Sequence, residues 1–156
     1  MEFDLSPLVD FPAVLELGIH KKTMTEFEAW VTTQFPNPEP RVRLLKHFQK
    51  LTIKIQEFKI PFDVWIDGSF LTTKPQPLDI DLLILAKKRD VNKLSLDQQD
   101  RFYSFFSNEN KHNIKMLYSC DMSYIIKGQK RDYDFWYSWF SKSRQGQPKG
   151  FISIEF

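Results

Sequence analysis

The chain contains a single cysteine, Cys120, only five glycines, and no apolar run near the roughly 20 residues that a membrane-spanning helix requires. One thiol excludes an intrachain disulfide framework and fits a reducing compartment. The missing apolar run argues against a helical membrane protein. Glu2 and Asp4 stand where a secretory signal peptide would carry positive charge. A cytoplasmic location is the expectation. Histidine is scarce: His20, His47 and His112 are scattered, without carboxylate or thiol neighbours at ligand spacing, so no histidine-based metal site is expected. Charge excess is missing too, with 22 basic residues against 20 acidic, and nothing in the bulk balance demands a nucleic-acid partner. Locally, the six Lys/Arg from Lys127 to Gly150 face only Asp132 and Asp134, which reads as a solvated basic face or a phosphate-contacting one. No repeat or low-complexity segment divides the chain, so residues 1–156 are expected to form one domain with a sizeable core.

Aromatic residues are abundant: fifteen Phe, five Tyr and four Trp. Rings bring large buried area in few positions, and a bulky-ring core is the expectation. The cluster Phe135, Trp136, Trp139 and Phe140 reads as core, with a partner-binding patch as the alternative.

Residues 1–22, with Pro7, Pro12 and Gly18, read as extended or irregular. Thr23 and Glu26 form a capping-box pattern ahead of Phe27, Trp30 and Val31 at helical spacing. Pro36, Pro38 and Pro40 end that helix. A second helix is expected from Arg41, because Leu44, Leu45, Phe48, Leu51, Ile55 and Phe58 make one apolar stripe before Pro61. Asp63–Asp67 is a brief β-rich segment, and Leu78–Ala86 a longer one containing Asp79 and Asp81. Residues 95–108 predict a helix burying Leu96, Phe102, Phe105 and Phe106. Met116–Ile126 predicts a strand containing Asp121, Asp132–Ser141 a helix, and Phe151–Phe156 a strand alternating between apolar and polar. Three or four strands with four helices make an α+β (mixed α/β) fold, a small central mixed sheet flanked by helices.

Two carboxylates at i and i+2 on a strand share a face, with Cα atoms about 6.5–7 Å apart. Asp79 and Asp81 have that spacing, and aspartates so placed repel each other. A hard divalent cation resolves the conflict, since carboxylate oxygens are natural Mg2+ ligands. Upstream, Gly68-Ser69 follows a short apolar strand. Glycine permits close backbone approach to a ligand, and successive N–H groups at a turn attract anions. A phosphate-holding turn and a metal-holding strand together describe a triphosphate site.

Asp67-Gly68-Ser69 followed by Asp79-Ile80-Asp81-Leu82 resembles the signature of the polymerase-β-type nucleotidyltransferase superfamily. The likeness extends to its small bacterial members, often called minimal nucleotidyltransferases, through Gly18-Ile-His20, Trp65 to Phe70, and Lys149-Gly150-Phe151. The resemblance implies a nucleotidyltransferase fold in which Gly68 and Ser69 hold the triphosphate. Asp79 and Asp81 would bind two Mg2+ or Mn2+ ions, with a third carboxylate from a later strand. Asp121 is the candidate for that third position; Asp132 and Asp134 fall on an expected helix and fit less well. Asp67 stands where the family commonly has a second glycine, and Thr72-Thr-Lys-Pro-Gln-Pro77 replaces a loop that often carries Arg-Gly. Lys74 is the candidate phosphate contact there, without arginine's bidentate reach.

The activity implied is transfer of a nucleoside monophosphate from ATP or another NTP to a hydroxyl of a partner macromolecule. By the same resemblance, such enzymes sit in toxin–antitoxin or phage-defence pairs and modify a partner protein or tRNA; the near-neutral charge balance favours the protein acceptor. The alternatives are a tRNA-modifying toxin and a non-catalytic binding module of the same fold.

Overall fold

The computed structural model describes residues 11–156. The expected irregular N-terminal stretch therefore lies partly outside the described residues. Within them, five strands form one mixed sheet: β1 (Gly18–Lys21), β2 (Asp63–Asp67), β3 (Ile80–Ala86), β4 (Cys120–Ile126) and β5 (Gly150–Glu155), in the order β1-β5-β2-β3-β4. β2 runs antiparallel to β3 and β5, while β3 pairs parallel with β4 and β1 parallel with β5. Six helices accompany the sheet: α1 (Met24–Gln34), α2 (Glu39–Gln56), α3 (Lys88–Asn92), α4 (Leu96–Phe105), α5 (Lys111–Tyr118) and α6 (Lys130–Phe140). The mixed α+β class matches the reading from sequence.

Local chemistry explains most boundaries. Thr23 caps α1, its hydroxyl accepting from the Glu26 N–H at 3.1 Å. α2 begins at Glu39 rather than Arg41, because Pro40 suits a helix's first turn, where its missing N–H costs nothing. Ser95 and Gln98 close a reciprocal capping box at α4. Leu96, expected inside, is 80% exposed because it falls in the first turn, while Phe102 carries the burial.

Three expectations need correction. The strand expected over Met116–Ile126 is divided: residues 111–118 form α5, and left-handed Ser119 (φ 54°) turns the chain into β4. Met116 and Leu117, which imitated strand residues, are exposed on that helix. The terminal strand is not half-polar. β5 is buried from Gly150 through Ile154, because it lies between β1 and β2 and both of its faces are covered. Finally, β3 starts at Ile80, so Asp79 precedes the strand rather than lying within it.

The sheet separates two sides. Val64, Ile66, Ile80, Leu82, Ile84, Cys120, Met122, Ile152 and Ile154 are all buried. By strand alternation they face one way, where Tyr124 meets Phe102 and Phe106 edge to face or tilted. On the other side α6 lies against part of the sheet. Its Tyr133 and Phe140 pack on Trp65, and Tyr137 and Phe140 on Phe151, at ring-centroid distances of 4.8 to 6.4 Å within this cluster. α6 leaves the start of β3 and β4 uncovered on that side.

The N-terminal and C-terminal segments are joined at β1 and β5, with Gly18 opposite Gly150. A Cβ at Gly150 would lie 1.9 Å from the Glu16 carbonyl oxygen, so only glycine fits there. Gly150→Ala should lower stability by about 1–3 kcal/mol through forced separation of the two segments. Thermal unfolding of that variant checks this, and an unchanged midpoint would contradict the close approach.

Candidate functional site

The register of three adjacent strands lines up three carboxylates. Asp67 at the end of β2 is opposite Asp81 of β3, and Asp81 is opposite Asp121 of β4. Residues in one cross-strand row share a face, so all three point to the side that α6 leaves open. Asp79 joins them two residues before Asp81. These four carboxylates, with Gly68, Ser69 and Lys74, line one open cleft of about 970 Å³. The structure thus brings together Gly68, Ser69, Lys74, Asp79, Asp81 and Asp121, the nucleotide and metal candidates named from sequence.

Gly68 is required by this geometry. Its φ is +89°, and a Cβ there would meet the Asp81 carboxylate oxygen at 2.6 Å. The Gly-Ser turn and the Asp-x-Asp segment are therefore in direct contact. Burial pushes the Asp81 carboxyl up to about 6, with the charges of Asp79 and Asp121 adding to the effect. Two lysines one helical turn apart on α5 answer that charge. Lys115 Nζ lies 3.2 Å from Asp79 and Lys111 Nζ lies 3.5 Å from Asp121. Lys111 also donates to the Ser123 hydroxyl at 3.1 Å. The hydrogen bond and charge of Asp79 hold the Lys115 ammonium above its ordinary range.

Asp67 has a different partner. Its carboxylate meets Lys149 Nζ at 2.8 Å, and both side chains are less than a tenth exposed. Burial still drives Asp67 up to about 7, with Lys149 pulling the other way. Asp67 thus ties the C-terminal segment to the Gly68-Ser69 turn.

Arg41 fixes that turn from behind. It is only 2% exposed and has no ion pair to a carboxylate among the described residues. Nε donates to the Phe70 carbonyl at 2.9 Å, and Nη2 to those of Thr72 at 2.7 Å and Lys74 at 2.9 Å. The guanidinium stacks 3.7 Å from the Phe35 ring centroid. Burial lowers its pKa to about 10, which keeps it charged at neutral pH.

Sequence reasoning missed Arg41, Lys111, Lys115 and the Lys149–Asp67 pair. Arg41 had a signal, since it extends the α2 apolar stripe one step ahead of Leu44. The lysines had none while residues 111–118 lacked a helix assignment. The remaining candidates lie elsewhere. His20 Nε2 donates to the Glu16 carbonyl at 2.7 Å, and His47 pairs with Ser119 at 3.1 Å. Cys120 is fully buried, and burial raises its thiol pKa well above the ordinary range. Asp134 pairs with Lys130 on α6. The aromatic cluster divides: Phe140 is core, whereas Phe135 and Trp139 are 60% and 66% exposed.

The donor set suits a hard cation, since only carboxylate oxygens of the required kind converge here. Among the described residues, no three His, Cys, Asp or Glu side chains close into a ready-made cage. The outer two carboxylates are turned to lysines, and a cation would have to displace those contacts. No helix among the described residues is long and apolar enough to cross a membrane.

A mixed α+β sheet whose carboxylate row opens onto a glycine-serine turn is the class that fold and site define. Residues 8–155 match a family of unknown function, DUF6932, and the chain belongs to that family. No curated protein and no solved structure matches it.

The raised carboxyl pKa values carry a sign. Folded Asp81 and Asp67 hold protons more tightly than the unfolded chain, with its ordinary value of 3.8. Stability attributable to them therefore falls as pH rises from about 4 to about 7. Asp81→Asn should raise the melting temperature of metal-free protein at pH 7.5 by a few degrees, and flatten the slope between pH 4 and 6. A lower melting temperature in that variant would contradict the charge accounting.

Proposed function

We propose that this protein is a nucleotidyltransferase-fold enzyme that moves a nucleoside monophosphate from an NTP to an acceptor hydroxyl. One observation carries the reading: Asp81 stands in register with Asp121 on the neighbouring strand and in contact distance of where a Gly68 side chain would be. The metal ligands and the phosphate turn of such an enzyme have to meet in this way. Asp79, Asp81 and Asp121 would hold Mg2+, which supplies charge neutralisation of the triphosphate and a lowered pKa at the attacking hydroxyl.

The chain's own groups account for the remaining steps. Gly68 and Ser69 seat the phosphates, with Lys74 at the rim. Arg41 holds the carbonyls of residues 70, 72 and 74, which fixes the turn before substrate arrives. The acceptor oxygen attacks the α-phosphorus, its proton passes to the Asp121 carboxylate, and the α–β phosphoanhydride bond breaks to release pyrophosphate. Lys111 and Lys115 leave the carboxylates as substrate binds, and both then face the triphosphate.

The cleft lies open among the described residues, so the acceptor hydroxyl belongs to a macromolecule whose surface completes the site. A protein partner, of the kind found in toxin–antitoxin or phage-defence pairs, is the reading we favour over tRNA because net charge is only +2. The lysine contacts to Asp79 and Asp121 favour one competing reading, a non-catalytic module in which lysines stand permanently in place of metal.

Calorimetry separates these. Wild type should bind an NTP only with Mg2+ or Mn2+, and Asp79→Asn/Asp81→Asn should weaken binding at least tenfold. Labelled NMP transfer to a protease-sensitive acceptor in host lysate should be lost in Asp121→Asn. Equal NTP affinity in wild type and the double variant would rule out this site. Binding without transfer to any acceptor would select the non-catalytic module.

A further inference from the structure

Resting on the reading above, we propose that Phe135 and Trp139 of α6 form the wall against which the base of the nucleoside triphosphate stacks. They are the two most exposed aromatic side chains of the described residues, and they line the same cleft as Asp79, Asp81, Asp121, Gly68 and Ser69. Leaving two rings in water is unfavourable, and the inward face of the same helix shows that the fold had alternatives. Tyr133, Tyr137 and Phe140 all find ring partners on Trp65 or Phe151. Among the described residues, Phe135 has ring contacts only with Trp136 and Trp139, and Trp139 only with Phe135.

Their geometry suits a flat ligand. The two ring planes are 6° from parallel with centroids 6.5 Å apart, one helical turn from each other. Trp136 fixes the arrangement edge-on, at 89° to Phe135 and 85° to the buried Phe140. The wall is thus attached to the core and does not depend on a loop. Stacking on a π-face needs no particular hydrogen-bond pattern and tolerates every base.

Charge complementarity identifies the occupant as a nucleotide carrying several phosphates. Lys74, Lys111, Lys115, Lys142, Arg144 and Lys149 line the cleft, outnumbering its four aspartates. Lys111, Lys115 and Lys149 are paired with Asp121, Asp79 and Asp67. That leaves Lys74, Lys142 and Arg144 without an ion pair to a carboxylate among the described residues, and a purely apolar protein segment would supply none. A triphosphate with its base turned to α6 satisfies both the cationic rim and the aromatic wall. The wall also implies weak discrimination among bases, because a ring face stacks on every base alike and reads no base edge.

The test compares Mg2+-dependent binding of each NTP, of inorganic tripolyphosphate, and of a single-stranded oligonucleotide. The proteins are wild type, Phe135→Ala/Trp139→Ala, and the ring-retaining Phe135→Tyr/Trp139→Phe. Both positions are exposed, so the fold should persist, which circular dichroism verifies. Wild type should bind NTPs at least tenfold more tightly than tripolyphosphate. The alanine variant should lose that margin with tripolyphosphate affinity unchanged, and the ring-retaining variant should keep it. An NTP margin that survives in the alanine variant, or is absent from wild type that binds tripolyphosphate, overturns the wall and leaves the phosphate site standing. A loss confined to the oligonucleotide assigns the rings to another occupant and overturns the proposal. If wild type binds no tripolyphosphate, the phosphate site itself fails and the wall falls with it.

Discussion

Carboxylates that repel one another within a few ångströms must be held there by something, and most of the functional half of this molecule is organised around that requirement. Strand pairing forces Asp67, Asp81 and Asp121 into one row, with Asp79 beside them. Burial makes the conflict worse at Asp81. The fold answers with Lys115 and Lys111 from α5 and Lys149 from the segment before β5. Surface ion pairs of this kind contribute little to stability, so the outer two lysine contacts can be exchanged cheaply. The Lys149–Asp67 pair is different. It is buried, and removing either member would strand the other's charge in the interior.

Around this row the chain uses positions where one residue type alone fits. Gly68 admits the Asp81 carboxylate and Gly150 admits the Glu16 carbonyl, so two glycines distant in sequence bring the turn, the N-terminal strand and the C-terminal strand together. Arg41 then consumes the carbonyls of the segment after Ser69, an unusual use of a buried cation with no carboxylate paired to it among the described residues. Rigidity at the turn and exchangeable contacts at the carboxylates are complementary features. On the proposed reading, the first preorganises an anion site, and the second leaves the carboxylates free to take a cation.

Local signals were legible where a residue's meaning depends on near neighbours. The Thr23 cap, the α2 stripe from Leu44 to Ile55 and the β-run ending at Ala86 all emerge from short-range chemistry. The Asp79, Asp81 and Gly68-Ser69 pairing was also visible, because aspartates at strand spacing need an explanation. What stayed hidden depends on tertiary context. α5 buries only Ile114, so its apolar residues gave no helical stripe, and Met116 and Leu117 resembled a strand start. Without that helix, Lys111 and Lys115 had no shared face. β5 appeared half-polar because its interior place in the sheet is a topological fact, and Ser153 is buried between strands that the sequence cannot order. The division of α6 into an anchored face and an exposed one follows from where Trp65 and Phe151 sit.

The claim that all else rests on is that Asp81 and its two neighbours are a divalent-cation site adjoining the Gly68-Ser69 turn. Amide spectra of the labelled protein recorded with substoichiometric Mn2+ test it directly, since paramagnetic broadening falls off steeply with distance. The account predicts loss of signal centred on Gly68, Ser69, Asp79, Asp81 and Asp121, reversed by excess Mg2+. Broadening spread evenly over the surface carboxylates, or centred elsewhere, would contradict it.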